Sequence, residues 1–135
     1  MQNAAVAHAF GSIDELGGNY GFRKVRAALG VTAFGVNAIV IPPASESILH
    51  YHDTQDELYF VHRGRARFEV DGETRELGPG GLCHVESTAP RKFVNVGDED
   101  LVVLIVGGQG GYVERDGHLV NPEDAEKRRN FGKDV

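Results

Sequence analysis

From residue 23 to residue 106, polar and apolar residues alternate with a period of two, and turn-forming residues interrupt the alternation about every ten residues. Successive side chains of a β-strand point to opposite faces of its sheet, so this pattern is typical of an antiparallel β-sandwich or β-barrel. Asp71-Gly72 is a two-residue hairpin signal, because both residue types tolerate a positive φ. The pattern predicts strands at 23–29, 34–41, 47–52, 57–63, 65–71, 73–77, 82–86, 92–96 and 101–106.

The length of the chain suits one folded unit. Its 135 residues fall within the roughly 100–200 residues of an ordinary domain, and we predict a single domain over 1–135. The core is expected at about 23–106, followed by a tail over 107–135. In that tail Asn121 stands at an N-cap position and Pro122 follows at the first helical position, which predicts a short helix at about 122–130. The predicted fold class is all-β with this one C-terminal helix.

The charge balance argues against two classes of partner. The chain has 20 acidic and 14 basic residues and a net charge of −6, whereas proteins that bind nucleic acid or anionic membranes present a basic surface. We therefore expect no nucleic-acid partner and no membrane partner. The single cysteine, Cys83, rules out an intrachain disulfide, and the longest apolar run, 101–106, is too short to cross a bilayer. These features favour a cytoplasmic location.

Two of the predicted strands carry apolar residues on both faces. They contain the runs 57–61 and 101–106. A strand of this kind is covered on its second face by the chain termini or by another subunit. We therefore predict a homodimer.

His50, His52 and Glu57 form the motif with the clearest chemical meaning. Residues i and i+2 of a strand point the same way, so the two imidazoles leave one face about 6–7 Å apart. Glu57 begins the next predicted strand, and the short acidic connection over 53–56 can bring it back beside the histidines. Two neutral imidazoles and one carboxylate suit Fe, Mn, Ni or Zn as a divalent ion and leave coordination positions open. The motif predicts a divalent transition metal at these three residues.

The arrangement His50-x-His52, four residues, Glu57, six residues and Gly64 resembles the first motif of the cupin superfamily. The resemblance covers about residues 40–106. It implies a double-stranded β-helix, the jelly-roll or cupin barrel, with the metal held inside the barrel and a small-molecule ligand beside it.

The second cupin motif is matched only in part. Gly80 and Asn95 stand where the motif has them, but Glu86 and Thr88 replace a Pro and a Gly, and in the first motif Ala44 replaces a Gly. The fourth metal ligand of the family, normally His, falls on Arg91, whose guanidinium stays protonated and cannot ligate.

Three interpretations of Arg91 are open at this point. In the first, the three predicted ligands bind metal and Arg91 faces the cavity as a bidentate anchor for an anionic ligand. In the second, Arg91 replaces the metal by pairing with Glu57, which leaves a metal-free binding pocket. In the third, Arg91 is a solvated loop residue beside Lys92, and His84 on the strand at 82–86 supplies the missing ligand.

Tyr59 and Asn95 are further candidates for binding a small molecule. Tyr59 shares a strand face with Glu57, so its hydroxyl is expected to line the cavity, and Asn95 is a polar residue of the second motif. Resemblance to the cupins implies dioxygenase, isomerase or decarboxylase-like chemistry on a small anionic substrate. The alternative from another class is a non-catalytic, metal-free module that binds or senses a ligand, because one fold hosts many functions.

Overall fold

Ten β-strands and one short α-helix build the part of the protein that the computed structural model describes, residues 7–126. In chain order the elements are β1 (Gly21–Arg23), α1 (Val25–Leu29), β2 (Gly35–Ile41), β3 (His50–His52), β4 (Asp56–Arg63), β5 (Ala66–Val70), β6 (Glu73–Leu77), β7 (Leu82–Val85), β8 (Arg91–Asn95), β9 (Leu101–Gly108) and β10 (Gly117–Leu119). Short 3₁₀ turns lie at Ile13–Glu15 and Pro122–Asp124.

The strands form two five-stranded sheets. The strand order is β1-β2-β9-β4-β7 in the first sheet and β10-β3-β8-β5-β6 in the second. Every strand pair in both sheets is antiparallel. The all-β class expected from the alternating pattern is confirmed.

The hydrophobic core lies between the facing sides of the two sheets. Tyr59 and Val61 of β4 pack in one cluster with Phe68 of β5 and Phe93 of β8, and all four are buried. The ring centroid of Tyr59 lies 5.6 Å from that of Phe68 and 6.0 Å from that of Phe93. Polar side chains on these inner faces are therefore held inside the protein, where each needs a partner.

The turn between β5 and β6 has the conformation that its sequence predicts. Asp71 has a φ of 50° and Gly72 a φ of 86°, so both central residues adopt positive φ. Such a turn matches the right-handed twist of the two strands that it joins. The register that follows pairs Val70 with Glu73.

The strand predicted at 23–29 is wrong. The chain leaves β1 at Arg23 and turns through α1, which ends at Gly30 with a φ of 72°. Arg, Ala and Leu favour a helix, and one helical turn buries Val25 without the alternation that a strand requires. The strand predicted at 47–52 is shorter than expected and covers only His50–His52.

At the C-terminal end the structure differs from the prediction in two ways. The helix predicted at about 122–130 begins with the 3₁₀ turn Pro122–Asp124, and its residues 127–130 lie outside the described part of the chain. A strand that the sequence did not indicate, β10, pairs with β3. Within residues 7–126, no helix combines the length and the apolar character that crossing a membrane requires.

The outer face of the first sheet is covered only in part. Val102 of β9 is buried there within the chain itself. Leu58 of β4 and Leu82 of β7 are 41% and 60% exposed. These exposed apolar side chains are where a second subunit of the expected homodimer could pack.

Candidate metal centre

His50, His52 and Glu57 come together between the two sheets. The histidines lie on β3 of the second sheet, and Glu57 is the second residue of β4 in the first. One nitrogen of each imidazole and one oxygen of the carboxylate lie within 4.8 Å of one another. The predicted grouping of three side chains is therefore present in the structure.

Hydrogen bonds fix which nitrogen of each histidine faces the centre. The Nδ1 of His50 lies 2.8 Å from the Ile48 carbonyl oxygen, and the Nδ1 of His52 lies 2.8 Å from Oδ1 of Asp116. Both partners are acceptors, so in each neutral ring the proton is on Nδ1 and the lone pair is on Nε2. Both Nε2 atoms are buried and have no hydrogen-bond partner among the described residues.

The Oε1 atom of Glu57 is the point on which these groups converge. It lies 3.3 Å from Nε2 of His52 and 3.8 Å from Nε2 of His50. The Tyr59 hydroxyl donates to the same oxygen at 2.6 Å. Burial alone would raise the pKa of Glu57, but the imidazoles of His50 and His52, when they carry a second proton, hold that pKa well below its usual range. Two lone pairs beside a carboxylate oxygen repel unless a cation joins them, so this donor set fits a metal ion.

Asp116 is a site residue that the sequence did not reveal. Its Oδ1 accepts hydrogen bonds from His52 and from the Gln55 side chain, and its Oδ2 accepts from the backbone N–H groups of Thr54 and Gln55. Burial would raise its pKa, but these donors lower it to about 2. Asp116 precedes β10, which pairs Gly117 with His52. This strand pairing brings Asp116 to the site, and no motif spacing signals it.

A family model described as a cupin domain matches residues 38–107. The match spans just over half of the chain and contains both sheets' central strands together with His50, His52 and Glu57. The chain belongs to the cupin superfamily.

Among curated relatives, this cupin is 30% identical over 66 residues to the oxalate-binding protein of Thermotoga maritima, an alignment that covers 49% of this chain and 54% of the relative. The chain spans about half the length of the curated relatives it matches. Among solved structures, it is similar to a sugar phosphate isomerase of the cupin superfamily from Silicibacter pomeroyi, with 28% identity and a TM-score of 0.60 over 65% of this chain and 58% of that one. A cupin protein from Bacteroides fragilis shares the fold at 19% identity, with a TM-score of 0.67 over 82% and 91% of the two chains.

Arg91 occupies the fourth-ligand position of this cupin as a buried structural cation. It is 1% exposed, which contradicts the interpretation as a solvated loop residue. Its terminal nitrogens donate to the carbonyl oxygens of Ser87, Val85 and Glu86, and its Nε lies 3.9 Å from Oε1 of Glu57. The terminal N–H groups that would bind an anionic ligand are therefore used by backbone carbonyl oxygens, and the Nε of Arg91 faces Glu57.

The other predicted site residues have different surroundings. His84 is exposed and pairs with Leu58 on the outer face of the first sheet, so it does not join the histidines. The amide of Asn95 is buried, donates to the carbonyl oxygens of Ile41 and Glu99 and accepts from the N–H of Gly97. The hydroxyl of Tyr59 is committed to Glu57. Asn95 thus fixes a loop, and Tyr59 orients a member of the metal centre.

A cavity of about 130 Å³ reaches Glu57 of the candidate metal centre. Glu57 and Gln55 line it together with the basic residues Lys24, Arg26 and Arg115 and with apolar side chains that include Phe22, Val36 and Ile105. A cavity that combines apolar walls with converging polar groups suits a small polar molecule.

Asp116→Asn is expected to weaken metal binding about 10–100-fold, the usual cost of losing a partner that orients a metal-bound histidine. The amide keeps the size of the side chain but removes its negative charge, so the acceptor of His52 Nδ1–H is weakened. Isothermal titration with Zn(II) measures the change. Asp53→Asn is the matched control, because the Asp53 carboxylate accepts from the exposed His118 instead of from a histidine of the centre. Equal affinity in the Asp116 variant and the wild type would contradict the assigned role.

Proposed function

We propose that this cupin binds a divalent transition metal, Fe, Mn, Ni or Zn, at His50, His52 and Glu57 and acts on a small anionic molecule beside it. The observation that carries the proposal is the pair of buried Nε2 atoms that have no hydrogen-bond partner within residues 7–126, both facing Oε1 of Glu57. Two imidazoles and a carboxylate leave coordination positions free for a ligand.

Within this proposal we favour isomerase-type chemistry over dioxygenation. The similarity to a sugar phosphate isomerase supports it, and the oxalate-binding relative supports a small acid as the ligand. When bound, the metal would supply a Lewis acid that polarises an oxygen of the ligand.

The residues of the chain hold that centre in place. The Ile48 carbonyl and Asp116 each hold an Nδ1–H, which turns both Nε2 lone pairs inward. The Tyr59 hydroxyl holds Oε1 of Glu57.

A metal-free module that binds or senses a ligand is the second candidate. The observation in its favour is the 3.9 Å separation between Nε of Arg91 and Oε1 of Glu57. A permanent cation at this distance balances part of the Glu57 charge without a metal. The cavity would then bind a ligand and perform no chemistry.

Elemental analysis after metal loading tests the first candidate against the second. The protein is stripped with a chelator, loaded separately with Fe(II), Mn(II), Ni(II) and Zn(II), and freed of excess metal on a desalting column. We expect close to one ion per chain for at least one of these metals. Failure to retain any of the four would contradict the metal proposal and support the metal-free module.

Four expectations from the sequence also stand as proposals. They are a single cupin domain over 1–135, closure of the two sheets into a barrel, a cytoplasmic location and a homodimer. For the homodimer, the exposed Leu58 and Leu82 offer an apolar surface on the first sheet. Sedimentation equilibrium tests it, because a mass equal to that of one 14.6 kDa chain would contradict it.

A further inference from the structure

The cavity that reaches Glu57 has the opposite charge balance to the rest of the chain. Three basic residues line it, Lys24, Arg26 and Arg115, against one acidic residue, Glu57. In the whole chain acidic residues outnumber basic ones by 20 to 14. A local excess of positive charge in an acidic protein attracts anions to that cavity.

The basic residues belong to segments on either side of the matched cupin domain. Lys24 and Arg26 lie next to and within α1, and Arg115 lies just before β10, all outside residues 38–107. These segments meet at the cavity, because the guanidinium carbon of Arg26 lies 4.1 Å from the ring centroid of Tyr112. The Arg26 guanidinium is held by this stacking and by a 3.4 Å hydrogen bond from Nη1 to the Val31 carbonyl oxygen.

We propose that Arg26 and Arg115 bind an oxyanion group, a carboxylate or a phosphate monoester, of a small ligand in this cavity. A guanidinium carries five N–H donors in a planar fork that matches two oxygens of such a group. Arg91 cannot provide this contact, because its terminal nitrogens donate to backbone carbonyls. The oxyanion site itself does not depend on a metal. Only the placement of the other end of the ligand at Glu57 rests on the proposed function.

Calorimetric titration of the chelator-treated protein tests the oxyanion site without any metal. The probes are succinate, which carries only carboxylates, glycerol 3-phosphate, which carries a phosphate monoester, and glycerol as the neutral control. We expect at least one charged probe to bind and glycerol not to bind. The charged probe that binds more tightly shows whether the site prefers a carboxylate or a phosphate monoester. Absence of binding by both charged probes would overturn the proposal.

Charge-neutral variants locate the site. Arg26→Gln and Arg115→Gln are each expected to lower the affinity for the charged probe about tenfold or more. This is the effect of losing one hydrogen bond to a charged group. Arg65→Gln is the matched control, since it removes the same charge from an exposed arginine that pairs with Glu76. Wild-type affinity in both cavity variants, or an equal loss in the Arg65 variant, would overturn the assignment.

Two features keep this test separate from the test of the metal centre. Arg115 is exposed, so Arg115→Gln is expected to fold even if loss of the Arg26 and Tyr112 stacking loosens the chain. Both variants are also expected to retain metal as the wild type does. Anion binding without metal retention would therefore contradict the proposed function alone, and metal retention without anion binding would contradict this inference alone.

Discussion

His52→Ala is expected to abolish stoichiometric metal binding. The substitution removes the imidazole with the closest approach to Glu57, 3.3 Å from Nε2 to Oε1, and leaves His50 and Glu57 as the only ligands. Loss of a direct ligand costs more than the 10–100-fold that follows loss of an outer partner, so the dissociation constant should rise by more than about 100-fold. Elemental analysis after loading and desalting measures retention, and calorimetry measures affinity.

Two further variants make this result interpretable. His84→Ala removes an exposed histidine on the outer face of the first sheet and is expected to retain metal as the wild type does. Since His52 is fully buried, its replacement also opens a cavity, and His50→Ala provides a ligand variant at a less buried side chain, which is 16% exposed. Retention of one ion per chain by a folded His50 or His52 variant would exclude the proposed centre.

The strands were predictable because their signal is local. In 65–71 the alternation directs every second side chain toward the core. Asp71 and Gly72 fix the hairpin because both residue types tolerate the positive φ that this turn requires. The segment 23–29 failed because it carries only one strongly buried apolar residue, Val25, and a single helical turn buries that residue equally well. Where few apolar side chains are buried, the intrinsic helix propensity of the residues decides the local conformation.

The site was predictable only where its residues share one strand or lie on strands that are consecutive in sequence. The spacing of His50 and His52 implies a common face, and Glu57 follows after a short connection. Asp116 lies 64 residues from His52 in sequence, and its contact depends on the pairing of β10 with β3, which no pattern signals. The role of Arg91 depends on which carbonyl groups surround its guanidinium, a matter of tertiary packing.

Arg91→Met is expected to lower the free energy of unfolding of the metal-free protein by about 3–5 kcal/mol, the usual cost of breaking a buried ion pair from one side. Methionine is unbranched like arginine but carries no charge and no N–H donor. It therefore cannot balance the negative charge of Glu57 or donate to the carbonyl oxygens of Ser87, Val85 and Glu86. Urea unfolding followed by circular dichroism measures the change. Arg65→Met is the matched control, because the exposed Arg65 and Glu76 pair should contribute less than about 1 kcal/mol. Equal stability of the Arg91 variant and the wild type would contradict the structural role.

A double-mutant cycle separates the two consequences of that substitution. If most of the cost comes from the unbalanced Glu57 carboxylate, Glu57→Gln should recover much of it in the Arg91→Met background. If most of it comes from the carbonyl oxygens that lose their donor, Glu57→Gln should recover little. A coupling energy near zero would show that the 3.9 Å approach of Nε to Oε1 contributes little to stability.

The same variant distinguishes the metal-binding protein from the metal-free module. A divalent ion at His50, His52 and Glu57 balances the carboxylate that Arg91→Met leaves unpaired, so loading should recover part of the lost stability. Any ligand that binds only the folded state adds RT ln(1 + [L]/Kd), so the gain from loading the wild type must be subtracted. A larger gain in the variant than in the wild type would mean that metal and Arg91 balance the same charge. An equal gain would mean that they act independently, and no gain in either protein would favour a pocket in which Arg91 alone balances Glu57.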